Sequence, residues 1–253
     1  MLCMTRTMAD NTTEISSSKG ICGCGYCQDV FLAILGSLLF WVDLYSIISA
    51  VNLDKSAEWN CRIIAGLHGT VSVILCFISA FILGPWPFNH IGYPPNQLHC
   101  TIIVISFGYF LFDLLWCLYM KTEGIVMLAH HILSLYGFFH GLLFNLYGCE
   151  LIAVLGASEF TNPILQFRWF MKQKGHYTGD LAMVIDFSFV FLFFAARVVV
   201  GTTFLIWTLL SPRMELIAKM GGAMMYSVGV IFSVHLAKFI YRKYVLHKPS
   251  KDD

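Results

Sequence analysis

The hydrophobic pattern of the chain is a series of long apolar runs separated by short polar connections. A helix rises about 1.5 Å per residue, so about 20 apolar residues are needed to cross the roughly 30 Å hydrocarbon core of a membrane. Seven runs meet or approach that length, and they predict an all-α polytopic membrane protein of about seven transmembrane helices. The predicted spans are 29–51, 62–84, 100–120, 124–145, 149–171, 180–210 and 215–241.

The composition agrees with this pattern. Hydrophobic residues make up 58% of the 253-residue chain and charged residues only 12%, which excludes a water-soluble domain. The net charge is +1, so the chain lacks the basic field that attracts nucleic acid, and we expect no nucleic-acid partner. We divide the chain into an N-terminal segment (1–28), a first transmembrane helix (29–54), a six-helix domain (55–245) and a C-terminal tail (246–253).

The positions of Lys and Arg predict the orientation, because cytosolic flanks of membrane helices carry an excess of these residues. One side of the predicted membrane collects Lys55, Arg62, Lys121, Arg168, Lys172, Lys174, Lys238, Arg242, Lys243, Lys248 and Lys251. The other side has Arg6, Lys19, Arg213 and Lys219. This asymmetry predicts a lumenal or extracellular N-terminus and a cytosolic C-terminus.

Two features of the N-terminal segment bear on this orientation and on its chemistry. Asn11 begins an Asn-Thr-Thr glycosylation acceptor, which a cell uses only on the lumenal side. Cys22, Cys24 and Cys27 lie close together before the first span. A fourth metal ligand at zinc-finger spacing is missing from this segment, so a disulfide or a palmitoylated patch is favoured over a metal site.

Several ionisable residues lie inside the predicted spans, where each is costly and therefore a candidate for function. Counting residues from the predicted cytosolic ends places Asp113, His130 and His131 roughly 10 Å deep. Glu159 and Asn162 come out deeper, at about 18 Å and 13 Å. His68, Asp186, His235 and Asp43 fall near the first level by the same count. This polar layer predicts a cavity that opens from the cytosol.

A purely structural interpretation competes with a functional one, because buried polar residues also join membrane helices to each other. For single residues such as His68, this structural role is at least as well supported. The adjacent His130 and His131 favour function, because their side chains point about 100° apart on a helix and both can hardly face lipid. Arg197 is expected to pair with Glu159. Pro163 predicts a kink beside this carboxylate.

Six sequence strings together resemble the TLC domain, which ceramide synthases, translocating-chain-associating proteins and smaller TLC domain-containing proteins share. The resemblance covers about residues 55–245 and depends on the joint order of the strings. They are EWNCRIIAGLHG (58–69), GPWPF (84–88), FGYFLFDLLWCLY (107–119), MLAHHILSLYG (127–137), SEFTNPILQFRWF (158–170) and the region around Arg197.

The resemblance implies a helical barrel around a cavity that admits an acyl chain. In ceramide synthases a His pair and downstream acidic residues transfer a fatty acyl group from coenzyme A, and His130 and His131 match that pair. Glu159 and Asn162 align with two Asp positions, so this chain keeps one carboxylate and loses the other. We therefore expect catalytic roles for His130, His131, Glu159 and Asp113. Substrate-binding roles are expected for Asn162, Asp186, His68 and Arg197, and Asn162→Asp is expected to leave folding intact.

The favoured function is lipid handling that affects membrane lipid composition. The expected partners are membrane lipids or fatty acyl chains. The endoplasmic reticulum membrane is favoured over the plasma membrane as the compartment. The alternatives are a ceramide-synthase-type N-acyltransferase and a trafficking or assembly factor. No cofactor or metal is expected, although acyl-coenzyme A is the co-substrate in the acyltransferase alternative. A homo-oligomer is compatible with the sequence.

A receptor is disfavoured because the DRY-like and NPxxY sequences are missing. A di-iron enzyme would need more His ligands.

Overall fold

The computed structural model describes residues 24–121 and 123–246, with side chains described from Asp29 onward. Asn11, the side chains of Cys22, Cys24 and Cys27 and the predicted tail after residue 246 lie outside this part. The described chain is helical throughout its long segments, and six of its helices or helix pairs are long and apolar enough to cross a membrane. These six are Asp29–Val51, Ala57–Leu83, Gln97–Met120, Ile125–Phe144, Gly179–Leu210 and Leu216–Val245.

The α-helices of the described chain follow the predicted spans, except in the fifth span. Three π-helical segments, Ile78–Leu83, Ala195–Val200 and Tyr241–Val245, extend or join them. The helices are α1 (Cys24–Val51), α2 (Ala57–Phe77), α3 (Gln97–Met120), α4 (Ile125–Phe144), α5 (Gly148–Glu159), α6 (Asn162–Gln173), α7 (Gly179–Phe194), α8 (Gly201–Leu210) and α9 (Leu216–Ile240).

Two of the long helices begin at a capping side chain. The Ser56 side chain accepts a hydrogen bond from the Trp59 amide, which begins α2 five residues before the predicted span. Asn96 begins α3 in the same way and forms a capping box with His99. The apolar runs therefore predict where the chain crosses the membrane, whereas capping side chains fix the first residues of α2 and α3.

The predicted fifth span is the exception, because it is two helices of 12 residues each rather than one. The α-helix ends at Glu159 and starts again at Asn162, with Pro163 as the second residue of α6. Proline lacks an N–H group and disfavours a helical conformation for the residue before it. The expected kink is thus a complete break, and a continuous helix over 149–171 is wrong.

The α5–α6 pair nevertheless runs the length of α2 in the opposite direction. Gly156 lies beside Cys76, which is near the end of α2. The Phe170 ring packs 4.8 Å from the Trp59 ring, at the start of α2. The chain therefore traverses the bundle along this path, although neither short helix does so alone.

The helices form a closed ring with α1 outside it. Neighbouring contacts run from α2 to α3, α4, α9, the α7–α8 pair, the α5–α6 pair and back to α2, while α1 packs on α2 and α3. We call the end where α3 leads into α4 the α3–α4 end, and the end where α4 leads into α5 the α4–α5 end. Two cavities inside this ring contain the candidate site.

Candidate functional site

A polar cavity of about 390 Å³ lies inside the ring toward the α3–α4 end. Helices α2, α3, α4, α6, α7 and α9 all contribute to its wall. It brings together six of the eight residues that the sequence predicts for the site. These six are Asp113, His130, His131, Glu159, Asn162 and Arg197.

His131 is held on both sides of its imidazole ring. Its Nε2 lies 2.7 Å from Asp113 Oδ2, and its Nδ1 lies 2.9 Å from the Met127 carbonyl oxygen. Both neighbours are hydrogen-bond acceptors, so the geometry fits an imidazolium that donates from both nitrogens to an ionised Asp113 and a carbonyl. The Cys61 thiol lies 3.9 Å from the other Asp113 oxygen. His131 and Asp113 therefore form a fixed pair in the cavity wall.

His130 is in a different situation one residue earlier in the chain. Its side chain is buried and lines the polar cavity, 6.1 Å from the Phe110 ring by centroid distance. Its buried Nδ1 has no hydrogen-bond partner among the described residues. A buried polar atom without a partner is costly, so a ligand or water in the cavity would stabilise it. Of the two imidazoles, His130 is the one with a ring nitrogen that lacks a partner among the described residues.

Glu159 and Asn162 flank the break between α5 and α6. The Asn162 amide donates hydrogen bonds to Glu159 Oε2 (2.9 Å) and to the Ala65 carbonyl (3.3 Å). This close approach requires a residue without a side chain on α2, because a Cβ at Gly69 would lie 3.0 Å from the Asn162 amide nitrogen and 3.2 Å from Glu159 Oε2. The break and Gly69 together let a carboxylate and an amide face the cavity.

His68 supports Glu159 from behind instead of lining the polar cavity. Its Nδ1 is 3.5 Å from Glu159 Oε2, and its ring stacks on Tyr109 at 3.7 Å. Its Nε2 lies within hydrogen-bond distance of the Ser72 and Ser106 hydroxyls. Since His68 is fully buried among these groups, the structure places this predicted substrate-binding residue behind the wall.

Asp186 also lies outside both cavities. It is completely buried, and its carboxylate accepts hydrogen bonds from Arg168 (2.7 Å), Tyr177 and Tyr244 (2.8 Å), with the Lys243 ammonium 3.2 Å away. These four side chains surround it. The structure therefore places Asp186 behind the wall, where its carboxylate binds Arg168, a residue that does line the polar cavity.

Arg197 lies in the π-helical segment Ala195–Val200, between α7 and α8. It donates a hydrogen bond of 2.6 Å to the Ser158 carbonyl oxygen, near the free end of α5. The expected ion pair with Glu159 is not formed among the described residues. A carbonyl at a helix C-terminus attracts a cation because the helix dipole is negative there. The Arg197 Nε is buried without a partner, so the guanidinium has donor capacity left.

Sequence reasoning missed several residues of the polar cavity wall. Gln166 donates to Asn162 Oδ1 at 2.7 Å and accepts from Arg62 at 3.5 Å, which extends the hydrogen-bond network to Glu58. The available signal was the spacing of four residues between Asn162 and Gln166, which places both on one helix face. Glu123, in the α3–α4 connection, also lines the cavity, and burial raises the pKa of its carboxyl group.

Two residues of the predicted polar layer are exposed. His235 is exposed on α9 but borders the polar cavity. Asp43 is exposed on α1, outside the ring.

In the part of the chain that the structure describes, no group of three or more His, Cys, Asp or Glu side chains could hold a metal ion.

An apolar cavity of about 620 Å³ adjoins the polar one and extends toward the α4–α5 end. Its wall consists mainly of aliphatic, aromatic and small residues of α2, α4, α5, α8 and α9. Phe110, Ser158 and Arg197 line both cavities. The two cavities therefore meet at these three residues.

Comparison with known proteins agrees with this architecture. A family model described as the TLC domain matches residues 58–241, which is most of the chain. The chain is also similar to TLC domain-containing protein 4 C of Dictyostelium discoideum, with 26% identity over 157 residues. That match covers 59% of this chain and 55% of the relative, so the chain spans a little over half the length of that relative. The chain belongs to the TLC domain family.

Proposed function

We propose that this protein binds an acyl lipid, with the polar part of the lipid in the polar cavity and its chain in the apolar cavity. The observation that carries this proposal is the junction of the two cavities at Arg197, Ser158 and Phe110. A polar chamber joined to an apolar one matches a molecule with a polar end and a hydrocarbon chain. The apolar volume of about 620 Å³ is in the range of small-molecule binding sites.

The side chains at the junction support recognition of a polar group that both accepts and donates hydrogen bonds. Arg197 offers a buried donor at Nε, and His130 offers a buried Nδ1 that is a donor or acceptor according to its tautomer. Glu159 supplies a carboxylate in the same cavity. A carbonyl or ester oxygen beside a hydroxyl or amine would satisfy these groups together.

The biological role that we propose is an effect on membrane lipid composition, in the endoplasmic reticulum membrane. The polar cavity lies at the end where the sequence predicts most Lys and Arg, so we further propose that it opens toward the cytosol. Membership of the TLC domain family supports a lipid-related function.

A second candidate function is acyl transfer from acyl-coenzyme A to an amine. His130 would take the proton of the attacking amine while the new N–C bond forms, and the C–S bond would break to release coenzyme A as the thiol. The unpartnered Nδ1 of His130 favours this candidate. However, both nitrogens of His131 are engaged, and Asn162 supplies an amide where the resemblance implies a carboxylate. We therefore place lipid binding first.

Blocking the apolar cavity tests the proposed function. Gly221 lines this cavity, and a Cβ added there would meet no heavy atom within 4 Å, so a side chain can start there and Gly221→Phe places a ring in the cavity. The matched control is Gly36→Phe on the outer face of α1, where a Cβ also meets nothing within 4 Å. Both variants are purified, and their co-purifying lipids are identified and quantified by mass spectrometry.

We expect wild type and Gly36→Phe to retain an acyl lipid and Gly221→Phe to lose most of it. Equal lipid content in all three proteins would contradict the proposed function. His130→Ala separates the two candidates when it is assayed with acyl-coenzyme A and a long-chain amine. Thiol release by wild type that disappears in this variant would favour acyl transfer over binding alone.

A further inference from the structure

One carboxylate lies at the far end of the apolar cavity, near the α4–α5 end. Glu150 is only 6% exposed and lines this cavity. Its Oε1 accepts a hydrogen bond from the Gly92 amide. Its Oε2 is buried and has no hydrogen-bond partner among the described residues, and none of them forms an ion pair with it.

An unpaired carboxylate in an apolar wall is costly, because burial removes it from water without replacing the lost hydrogen bonds. Part of this cost is offset locally. Glu150 lies in the first turn of α5, where the helix dipole favours a negative charge, and the Gly92 amide binds one oxygen. Neither of these interactions reaches Oε2, so one acceptor oxygen of a residue in the cavity wall remains without a partner.

A few other polar side chains line the apolar cavity together with Glu150. Tyr147 and Thr208 are buried and line the same cavity. Phe204 and Met214, which pack with Tyr147 in one buried cluster, provide the apolar part of this wall. The apolar cavity therefore has a polar group at each end, with Arg197 at one and Glu150 at the other.

We propose that Glu150 is a second polar subsite and that it binds the hydroxyl group of a lipid in the apolar cavity. A hydroxyl fits either protonation state, because it can donate to a carboxylate or accept from a carboxylic acid. An ammonium group would have to lose its water in a wall that offers it one carboxylate and no further acceptor of charge, which is costly. This inference rests on the proposed function, since it concerns the same lipid-binding cavity.

The hydroxyl has two chemical sources. It is either at the far end of the chain whose polar part binds near His130, or on a separate alcohol such as a sterol that enters the apolar cavity. Two pairs of probes distinguish these sources, because each pair differs only in the hydroxyl. The first pair is ω-hydroxypalmitate and palmitate, and the second is cholesterol and cholest-5-ene.

The experiment measures the affinity of the purified full chain for each probe. A hydrogen bond to a charged group favours binding by about 10-fold or more, so wild type should prefer the hydroxylated member of one pair by that factor. Glu150→Met should abolish the preference while the unsubstituted probe binds as well as before. Glu150→Gln, which retains an acceptor oxygen and adds a donor, should keep part of the preference.

The inference and the proposed function fail in different ways. Preference within the first pair assigns the hydroxyl to the chain end, and preference within the second assigns it to a separate alcohol. Palmitate binding that Gly221→Phe blocks, without a hydroxyl preference in either pair, would overturn the Glu150 subsite and leave the proposed function standing. The subsite is also overturned if Glu150→Met and Glu150→Gln both keep the full preference. Wild type that binds none of the four probes would overturn both.

Discussion

The polar and apolar cavities differ in what shapes their walls. The polar cavity is lined by charged side chains that other side chains hold in place, such as His131 by Asp113 and Glu159 by Asn162. The apolar cavity is lined mainly by hydrocarbon and by small residues such as Gly221. Hydrogen bonds and ion pairs have fixed geometry, whereas apolar contacts do not depend on direction. The polar cavity is therefore suited to selecting a polar group, and the apolar cavity to accepting chains of varied shape.

The break between α5 and α6 makes this division possible. In a continuous helix, the residues over 159–162 would use their backbone groups within the helix and their side chains would follow its regular spacing. The break directs Glu159 and Asn162 toward the polar cavity and leaves the Ser158 carbonyl available to Arg197. One local irregularity thus supplies side chains to the polar cavity and the junction with the apolar one.

The largest effect is expected from Asp186→Ala, which removes the carboxylate behind the polar cavity wall. The change leaves Arg168 without its buried counter-ion, and breaking a buried pair in this way costs about 3–5 kcal/mol. The free energy of unfolding in detergent, measured by chemical denaturation, should fall by about that amount. Asp43→Ala is the matched control because Asp43 is exposed, and it should change little. Equal stability of both variants would show that the polar wall does not depend on this cluster.

A smaller loss of stability is expected from Asn162→Asp. The sequence predicts that this substitution leaves folding intact, whereas the contacts of Asn162 predict that it destabilises the protein. The substituted carboxylate would lie next to Glu159 Oε2 and the Ala65 carbonyl, two acceptors that the Asn162 amide now satisfies at 2.9 Å and 3.3 Å. Unsatisfied buried acceptors cost about 1–3 kcal/mol each, so we expect a loss of about 2 kcal/mol. This loss is measured by thermal unfolding of wild type, Asn162→Asp and the exposed control Asn89→Asp. A variant as stable as wild type would restore the original expectation.

The smallest effect on stability concerns Glu123, whose half-buried carboxyl group has a pKa that burial raises in the folded protein. The folded state therefore binds the proton more tightly than the unfolded state, and stability falls as the pH rises from the ordinary carboxyl pKa through the raised one. Glu123→Gln should remove this fall, which is expected to be smaller than the two losses above because the carboxyl group is only half-buried. Unfolding curves across the acidic and neutral range measure the slope. Parallel slopes in wild type and variant would contradict the assignment.

The exposed Asp54 provides a contrast, because its pKa is lowered by the neighbouring Lys55. Its stabilising contribution is present above the unfolded carboxyl pKa and is lost as the pH falls through the folded value. Asp54→Asn should therefore change the slope in the opposite direction from Glu123→Gln.

Sequence reasoning predicted the path of the chain well and the roles of individual residues less well. The long apolar runs gave the six long spans to within a few residues, because run length follows directly from membrane thickness. Pro163 indicated a disturbance but not a full break. Glu150 was missed because it begins a predicted span, where a charged residue is ordinary. His68 and Asp186 were interpreted as ligand contacts because nothing in the sequence shows which helices face each other.

The amino-acid sequence by itself determined that this chain crosses a membrane as helices and that ionisable residues lie within the spans. Both conclusions depend only on the cost of exposing polar groups to hydrocarbon, which each segment carries alone. Only the tertiary structure decided which of these residues face a cavity. His130 and His131 are adjacent in sequence and both line the polar cavity, yet Asp113 binds the ring of His131 whereas Nδ1 of His130 has no partner among the described residues. The difference arises because a side chain's partners come from other helices, which the order of the chain does not specify.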